Sequence, residues 1–127
     1  MFRPSNPNPG RRIVGDCVIR AIAILLDLSW EEVYDDIAVL GRRMYDMPSS
    51  NEVWSEYLYQ KGYSRYIIPD TCPVCYTVRR FCEDHKFGEY LLATGTHVVT
   101  VIDGDYYDAW DSGEEVPVYY YKRGSKK

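Results

Sequence analysis

The chain has 127 residues, 46% of them hydrophobic and 27% charged, which suits one domain with a buried core and argues against disorder. Residues 122–127 hold four of its 15 basic residues, so the rest carries 11 basic against 19 acidic residues and is a poor match for a nucleic-acid backbone. The sequence therefore predicts a single domain over residues 1–127 with no nucleic-acid partner.

A membrane partner and export are not expected either. The longest apolar run, residues 21–26, is much shorter than a membrane span. The first twelve residues lack the apolar core of a secretory signal. Four cysteines in a chain without such a signal predict reduced thiols and a cytoplasmic location.

Helices are predicted for the first half of the chain. Residues 1–12 contain three prolines and two asparagines and predict an extended arm. The stretch 17–27 is apolar nearly all round, as in a buried helix. Two capping boxes, 29–32 and 49–52, predict where a second and a third helix begin. The third helix is expected to end at Gly62, in the position where glycine commonly follows a helix.

Strands dominate the second half of the chain. Residues 103–105 (DGD) contain the turn of a hairpin between two of these strands. Because helices come first and an antiparallel sheet follows, the predicted fold class is α+β. The expected elements are strands at 63–68, 90–93, 97–102, 106–110 and 116–122, and a short helix at 78–86.

Cys17 is the candidate nucleophile. It stands at the expected start of the buried helix, where the positive end of the helix dipole and unpaired backbone N–H groups stabilise a thiolate. A cysteine nucleophile also needs a base within hydrogen-bond reach. The chain has two histidines, His85 and His97. We favour His97 because it opens a strand of the kind that packs against a buried helix.

The acid that would orient the His97 ring depends on the register of the hairpin. With a three-residue loop at 103–105, His97 directly faces Asp111. With a two-residue loop it faces Trp110, and Asp108 becomes the nearest acid. Directly opposed residues lie within about 5.5 Å of each other, which suits a histidine–carboxylate bond. We favour Asp111, because it ends its strand beside the end where His97 begins.

Two charged residues next to Cys17 have expected structural roles. Arg20 lies one turn after Cys17 on nearly the same helix face. Asp16 is expected to cap the helix. The expected partners of Arg20 in a buried ion pair are Asp16, Asp108 or Asp111.

These motifs are similar to those of papain-like cysteine peptidases. In that family a cysteine opens a buried helix, a histidine opens a later strand, and an asparagine or aspartate lies on a neighbouring strand. GDC at 15–17, His97 and WDSG at 110–113 follow this order. The resemblance implies that Cys17 is the nucleophile, His97 the base and Asp111 the orienting acid. It also implies a papain-like fold, with the nucleophile helix packed on a C-terminal antiparallel sheet.

Two further resemblances have different extents. GDCVIRA, NEVW, HVV and YYDAWDSG together resemble small uncharacterised papain-like proteins of gut bacteria and their phages, over nearly the whole chain. That resemblance implies no particular substrate. The segment from Cys17 to Ala21 is also similar to the cysteine segment of ovarian-tumour-type deubiquitinases, which have an acid where this chain has Val14.

The oxyanion donor departs from the papain-like pattern. Papain-like enzymes have a glutamine six residues before the cysteine, and this chain has Arg11 there. The candidates for a replacement donor are Asn8 and Asn6, acting together with the backbone N–H of Cys17.

A second cluster of cysteines predicts a structural zinc site. Cys72, Cys75, Cys82 and His85 follow the pattern C-x2-C-x6-C-x2-H and supply a complete set of four ligands. Cys82 and His85 are three residues apart on the expected short helix, so both can face one ion. The alternatives are buried thiols beside a surface histidine, or a redox pair of Cys72 and Cys75. Catalysis at Cys17 is expected to need no cofactor.

Two functions remain open at this point. The first is a papain-like cysteine hydrolase, a peptidase or isopeptidase that acts on a peptide or protein substrate. The second is a catalytically inactive papain-like or zinc-stabilised protein that binds a partner, such as a phage-encoded inhibitor of a host factor. They differ in whether Cys17 carries a reactive thiolate.

Overall fold

The computed structural model describes residues 1–12, 14–69 and 74–124. Over these residues the chain is α+β, with four helices and one mixed six-stranded sheet, which confirms the predicted fold class. No helix in these ranges is both long enough and apolar enough to cross a membrane. The elements in chain order are β1 (Phe2–Pro4), α1 (Cys17–Leu26), α2 (Trp30–Arg43), α3 (Asn51–Gln60), β2 (Tyr63–Ile67), α4 (Val78–Asp84), β3 (Glu89–Ala93), β4 (Val98–Ile102), β5 (Asp105–Asp108) and β6 (Tyr119–Arg123).

Serine caps begin two of these helices. At the start of α2 the hydroxyl oxygen of Ser29 accepts a hydrogen bond from the backbone N–H of Glu32 at 3.1 Å, as the sequence predicts. At the start of α3 the capping residue is Ser50, which accepts from the N–H of Glu52 at 3.2 Å. The third helix therefore begins one residue later than a capping box at Ser49 would place it.

The sheet has the strand order β1-β5-β4-β3-β6-β2. Neighbouring strands are antiparallel except β1 and β5, which are parallel, so the antiparallel sheet expected from the sequence is in fact mixed. The difference arises because part of the expected extended arm pairs with β5. The side chains of Arg3 and Asp105 form an ion pair at 3.0 Å, and the N–H of Ser5 donates to the carbonyl oxygen of Asp108 at 2.8 Å.

Helices cover both faces of the sheet. On one face α1, α2 and α3 share a hydrophobic core with the strands, and its largest members include Trp54 and Tyr121. On the other face α4 packs through Phe81 against β3, β4 and β5. Burial of both faces is the main source of stability for a sheet of this kind.

A buried hydrogen bond fixes α1 against β4. The hydroxyl of Thr100 in β4 donates to the carbonyl oxygen of Ala21 in α1 at 2.5 Å. Ala21 and its neighbours Ile22 and Ala23 are buried, as the apolar pattern of this helix predicts. Because α1 lies along β4, the residue that begins the helix and the residue that precedes the strand come to the same end of the sheet.

Candidate active site

Cys17 is the first residue of α1 and is partly exposed. Its place in the first helical turn is the one predicted from the sequence. At that position the N–H groups of the turn have no partner within the helix and carry partial positive charge. The thiol therefore lies where a negative charge on sulfur is stabilised.

His97 is buried and lies immediately before β4. Its Nε2 atom lies 2.6 Å from Oδ2 of Asp108. The imidazole stacks on the ring of Trp110 with 4.6 Å between ring centroids. The His97 backbone is fixed by Thr94, whose hydroxyl oxygen accepts from the His97 N–H at 3.0 Å. The ring is thus held on one edge by a carboxylate and on one face by an indole.

Cys17 and His97 form a side-chain hydrogen bond that shifts the pKa of both groups. Burial by itself raises the pKa of the Cys17 thiol. The hydrogen bond with His97, a backbone hydrogen bond with Val98 and the nearby positive charges outweigh burial, so the pKa of Cys17 lies below its ordinary value. Because Nε2 of His97 is bonded to Asp108, Nδ1 is the ring nitrogen left to face the sulfur.

The pKa of His97 moves in the opposite direction. Burial is the largest single influence and lowers it, but the hydrogen bonds and the negative charges of Asp108 and Cys17 together outweigh burial and raise the pKa of His97 to about 9. A thiol with a lowered pKa next to an imidazole with a raised pKa favours a thiolate–imidazolium pair near neutral pH. That pair is the reactive form of a cysteine nucleophile with its base.

The acid that binds His97 is Asp108, so the sequence-based preference for Asp111 is wrong. The hairpin loop has two residues, Asp103 and Gly104, since Ile102 is paired with Asp105. Both loop residues have positive φ, +49° and +83°, as in the type I′ turn that closes two-residue hairpins.

This is the shorter of the two registers that the sequence left open. The register that pairs Thr100 with Tyr107 sets Trp110 opposite His97. The Trp110 ring accordingly stacks on the imidazole. Asp108, two residues earlier in the chain, reaches its edge.

Asp111 instead anchors the loop that follows β5. Its Oδ1 atom accepts hydrogen bonds from the Tyr106 hydroxyl at 2.5 Å and from the Gly113 N–H at 3.0 Å. The guanidinium of Arg79, at the start of α4, lies 3.6 Å away. The Tyr106 and Gly113 hydrogen bonds and the Arg79 charge hold the pKa of Asp111 below its usual range. Asp111 is about half exposed and contributes to the site only by fixing this loop.

Asp108 itself is buried and accepts several hydrogen bonds. The Ser112 hydroxyl donates to Oδ2 at 2.7 Å, and the Ala109 N–H donates to Oδ1 at 2.7 Å. Ser112 was not among the site residues predicted from the sequence. The available signal was its position in WDSG, four residues after Asp108. These bonds orient the carboxylate toward His97, as supporting residues do around a catalytic histidine.

A buried cluster lies behind Cys17. Asp16 forms an ion pair with Arg20 and accepts from the Trp30 indole N–H at 2.9 Å. Asp16 occupies the N-cap position of α1, as expected, but its carboxylate makes no capping bond there. The predicted pairing of Arg20 with Asp16 is confirmed, and the guanidinium also lies 3.8 Å from Asp108. One buried cation thus lies between two buried carboxylates next to the nucleophile.

The two oxyanion candidates both lie in the segment before α1. Asn8 is buried, and its side-chain N–H donates to Asp16 at 3.2 Å, which brings the amide close to the residue preceding Cys17. Asn6 donates to the carbonyl oxygen of Arg12 at 3.4 Å and accepts from the N–H of Asn8 at 3.2 Å. Asn8 is thus bonded to the residue that precedes the nucleophile, while Asn6 stabilises the bend of this segment.

The predicted zinc ligands are only partly described. Cys72 lies outside the described residues, and within those residues no three metal-ligating side chains form a group. Cys82 is buried and lines a cavity with Met1 and Gly104. His85 lines a different cavity and stacks on Phe81, and its Nδ1–H donates a hydrogen bond to the Phe81 carbonyl oxygen at 2.9 Å. Cys82 and His85 therefore do not converge here, although both lie at α4.

Comparison of the chain with family models, with curated proteins and with solved structures finds no match in any of the three. The site itself is a hydrogen-bonded series of a thiol, an imidazole and a carboxylate, from Cys17 through His97 to Asp108.

Proposed function

We propose that this protein is a cysteine hydrolase with a papain-like catalytic arrangement, acting on a peptide or isopeptide bond. The observation that supports the proposal is the hydrogen-bonded series from Cys17 through His97 to Asp108. Cys17 is the nucleophile, His97 the general base and acid, and Asp108 the residue that orients the ring. The placement of the cysteine on a buried helix and the histidine at a strand is also that of a papain-like fold.

The proposed reaction has two steps. The Cys17 thiolate attacks the carbonyl carbon, and the His97 imidazolium gives its proton to the leaving amine as the C–N bond breaks. A water molecule then loses a proton to His97 and attacks the resulting thioester, which releases the carboxylic acid and restores the thiol. Asp108 keeps the Nε2–H of His97 in place in both steps, so Nδ1 always faces the sulfur.

The developing oxyanion needs donors that are in place before the reaction. The backbone N–H groups at the start of α1, including that of Cys17, point out of the first helical turn. We assign the second donor to Asn8, whose amide nitrogen carries another hydrogen besides the one given to Asp16.

Alkylation by iodoacetamide at pH 7 tests the thiolate directly. Cys17 should react faster than the exposed Cys75 of the same molecule, because its lowered pKa raises the fraction of thiolate at this pH. His97→Ala should remove this advantage and leave the rate at Cys75 unchanged. The measurement is site-resolved mass spectrometry over time, and Cys17→Ala should abolish cleavage of a peptide library.

An equal, slow rate at Cys17 and Cys75 would contradict the hydrolase proposal. The alternative would then be a binding protein that keeps a papain-like arrangement without its reactivity. That outcome would direct the search to protein partners rather than to substrates.

The zinc site remains a separate prediction. If Cys72, Cys75, Cys82 and His85 bind zinc, purified protein should contain about one equivalent, and a chelator should lower its melting temperature. Burial raises the pKa of the Cys82 thiol to about 11, so any zinc bound there must also displace its proton. Metal-free protein with an unchanged melting temperature would end this hypothesis. Loss of zinc is not expected to alter the chemistry at Cys17, since none of the four ligands belongs to the catalytic series.

A further inference from the structure

An aromatic cavity lies on the face of the sheet that α4 covers, opposite the face on which α1 packs. Its volume is about 310 Å³, and we call it the α4 pocket. Cys17 packs against the core on the other face, so the pocket is separate from the catalytic series. Residues 67–69, at the end of β2, close one side of the pocket. Its aromatic wall consists of Tyr76, Phe81, His85 and Tyr120.

Contacts within the protein hold this aromatic wall in place. The His85 ring stacks on Phe81 with 3.8 Å between ring centroids, and the Tyr120 ring meets Phe81 edge-on at 5.2 Å. The Tyr76 hydroxyl donates to Asp84 at 2.7 Å, which fixes the Tyr76 ring beside α4. Ring faces and edges that are already in place favour another planar ring, and little conformational freedom is lost when one binds.

His85 also offers the pocket a hydrogen-bond acceptor. Its Nδ1 atom lies 2.9 Å from the Phe81 carbonyl oxygen, which can only accept, so the hydrogen of the neutral ring is on Nδ1. The other ring nitrogen, Nε2, therefore has a lone pair, and no described residue donates to it. Nε2 is also open to solvent, since among the described residues only Arg20 has a buried side-chain polar atom without a partner.

We propose that the α4 pocket binds a small planar aromatic molecule that carries one N–H or O–H donor. Its ring lies against the aromatic wall, and its donor binds Nε2 of His85. No Asp, Glu, Lys or Arg is among the described lining residues, so a charged ligand would lose its hydration without gaining an ion pair. A volume near 310 Å³ is at the lower end for small-molecule sites and suits a molecule of one or two rings. This site goes beyond the proposed hydrolase function and does not depend on it.

Indole and 1-methylindole are matched probes, because they share the same rings and only indole has an N–H. Indole should bind with a Kd of about a millimolar or below, the scale expected for a ligand of this size. 1-Methylindole should bind about five- to tenfold more weakly, since its ring covers Nε2 without donating to it. The measurement is an NMR titration of the whole chain at pH 7.5, where histidine side chains are ordinarily neutral. The titration gives the Kd and the residues whose signals move.

Three variants locate the site and its acceptor. His85→Phe keeps a ring that can stack on Phe81 but removes the acceptor, so both indoles should bind this variant equally. That result would exclude the added methyl group as the cause of the difference. Tyr76→Ala removes part of the wall and should weaken both ligands about threefold or more. Phe87→Ala removes an exposed ring outside the lining and should change neither affinity.

The proposal is overturned if indole shows no saturable binding below about 10 mM. Equal binding of indole and 1-methylindole to the unaltered protein would overturn it too, and this comparison does not depend on the folding of any variant. Signals that move only far from α4 and β6 have the same consequence. N-Acetyltryptophanamide carries the same ring on a peptide-like backbone and should bind more weakly than indole. Tighter binding would assign the pocket to a side chain of a partner protein and overturn the small-molecule assignment.

Zinc and the proposed ligand would compete for the same atom of His85. Because Nδ1 is bonded to Phe81, Nε2 is the one nitrogen with a lone pair, and it serves one partner at a time. If purified protein contains zinc and indole binds no better than 1-methylindole, zinc occupies Nε2 and the pocket proposal fails. The hydrolase proposal is unaffected by either result, since His85 is not part of the catalytic series.

Discussion

Asp108→Ala should reduce peptide cleavage by up to about 10⁴-fold, the scale seen when the orienting aspartate of a catalytic triad is altered. The carboxylate of Asp108 lies 2.6 Å from Nε2 of His97, and Ser112 and Ala109 hold it there. Without it, the imidazole loses both its fixed orientation and the negative charge that stabilises its protonated form. The measurement is cleavage of a peptide library, followed by the cleavage rate of one member.

Asp111→Ala is the matched control. It deletes the same group only three residues away, at a position that binds Tyr106 and Arg79 rather than His97. Its effect on cleavage should be small. A larger loss with Asp111→Ala than with Asp108→Ala would contradict the assigned register. Asp108→Asn keeps the shape of the side chain but removes the charge, so it should also lose most of the activity, and it guards against misfolding of Asp108→Ala as the cause of the loss.

The pH dependence of cleavage shows whether Asp108→Ala acts through His97 or only through loss of folded protein. Because the pKa of His97 is raised to about 9, the imidazolium persists below that pH and is lost above it. The thiolate–imidazolium pair therefore exists between the lowered pKa of Cys17 and about pH 9, and the alkaline limb of the cleavage profile should lie near 9. Asp108→Ala removes a hydrogen bond that raises the pKa of His97, so this limb should move to lower pH. Asp111→Ala should leave it in place.

The sequence could predict the members of the site but not the register between two of them. Cys17 and His97 were identified from their positions at a helix start and a strand start, which are local signals. The choice between Asp108 and Asp111 depended on whether 103–105 contains a two- or three-residue loop, and a one-residue shift in a hairpin reverses the faces of every following side chain. Local composition permits both loops, and the packing of Trp110 on His97 is a tertiary contact that no local pattern reveals.

The edge strand β1 could not be predicted from the sequence for a similar reason, because it depends on a tertiary contact. Phe2–Pro4 has only three residues and includes a proline, so no strand was predicted there. It becomes a strand because β5 offers an unpaired edge and Asp105 offers a partner for Arg3. The helices were easier to predict, since capping residues and apolar periodicity lie within each segment.

Arg20→Met should destabilise the fold by about 3–5 kcal/mol, the cost of removing one partner from a buried ion pair. Arg20 is 3% exposed and its guanidinium lies between the carboxylates of Asp16 and Asp108. Removing the cation leaves Asp16 buried with neutral donors, among them Trp30. The measurement is the free energy of unfolding in urea at neutral pH. Arg3→Met, which breaks the exposed pair with Asp105, is the control and should cost no more than about 1 kcal/mol.

A double-mutant cycle shows whether the loss comes from the charge left behind. Asp16→Asn in the Arg20→Met background removes the uncompensated carboxylate, so the double variant should be more stable than the sum of the two single losses predicts, by about 0.5–3 kcal/mol. Strictly additive losses would mean that Arg20 stabilises α1 by packing, for instance on Trp110, rather than by its charge.

The Arg20 variants also test the reactivity of the nucleophile, because the positive charge of Arg20 helps to lower the pKa of Cys17. Arg20→Met should therefore slow iodoacetamide labelling of Cys17 at pH 7, whereas Arg20→Lys, which retains a charge at this position, should slow it less.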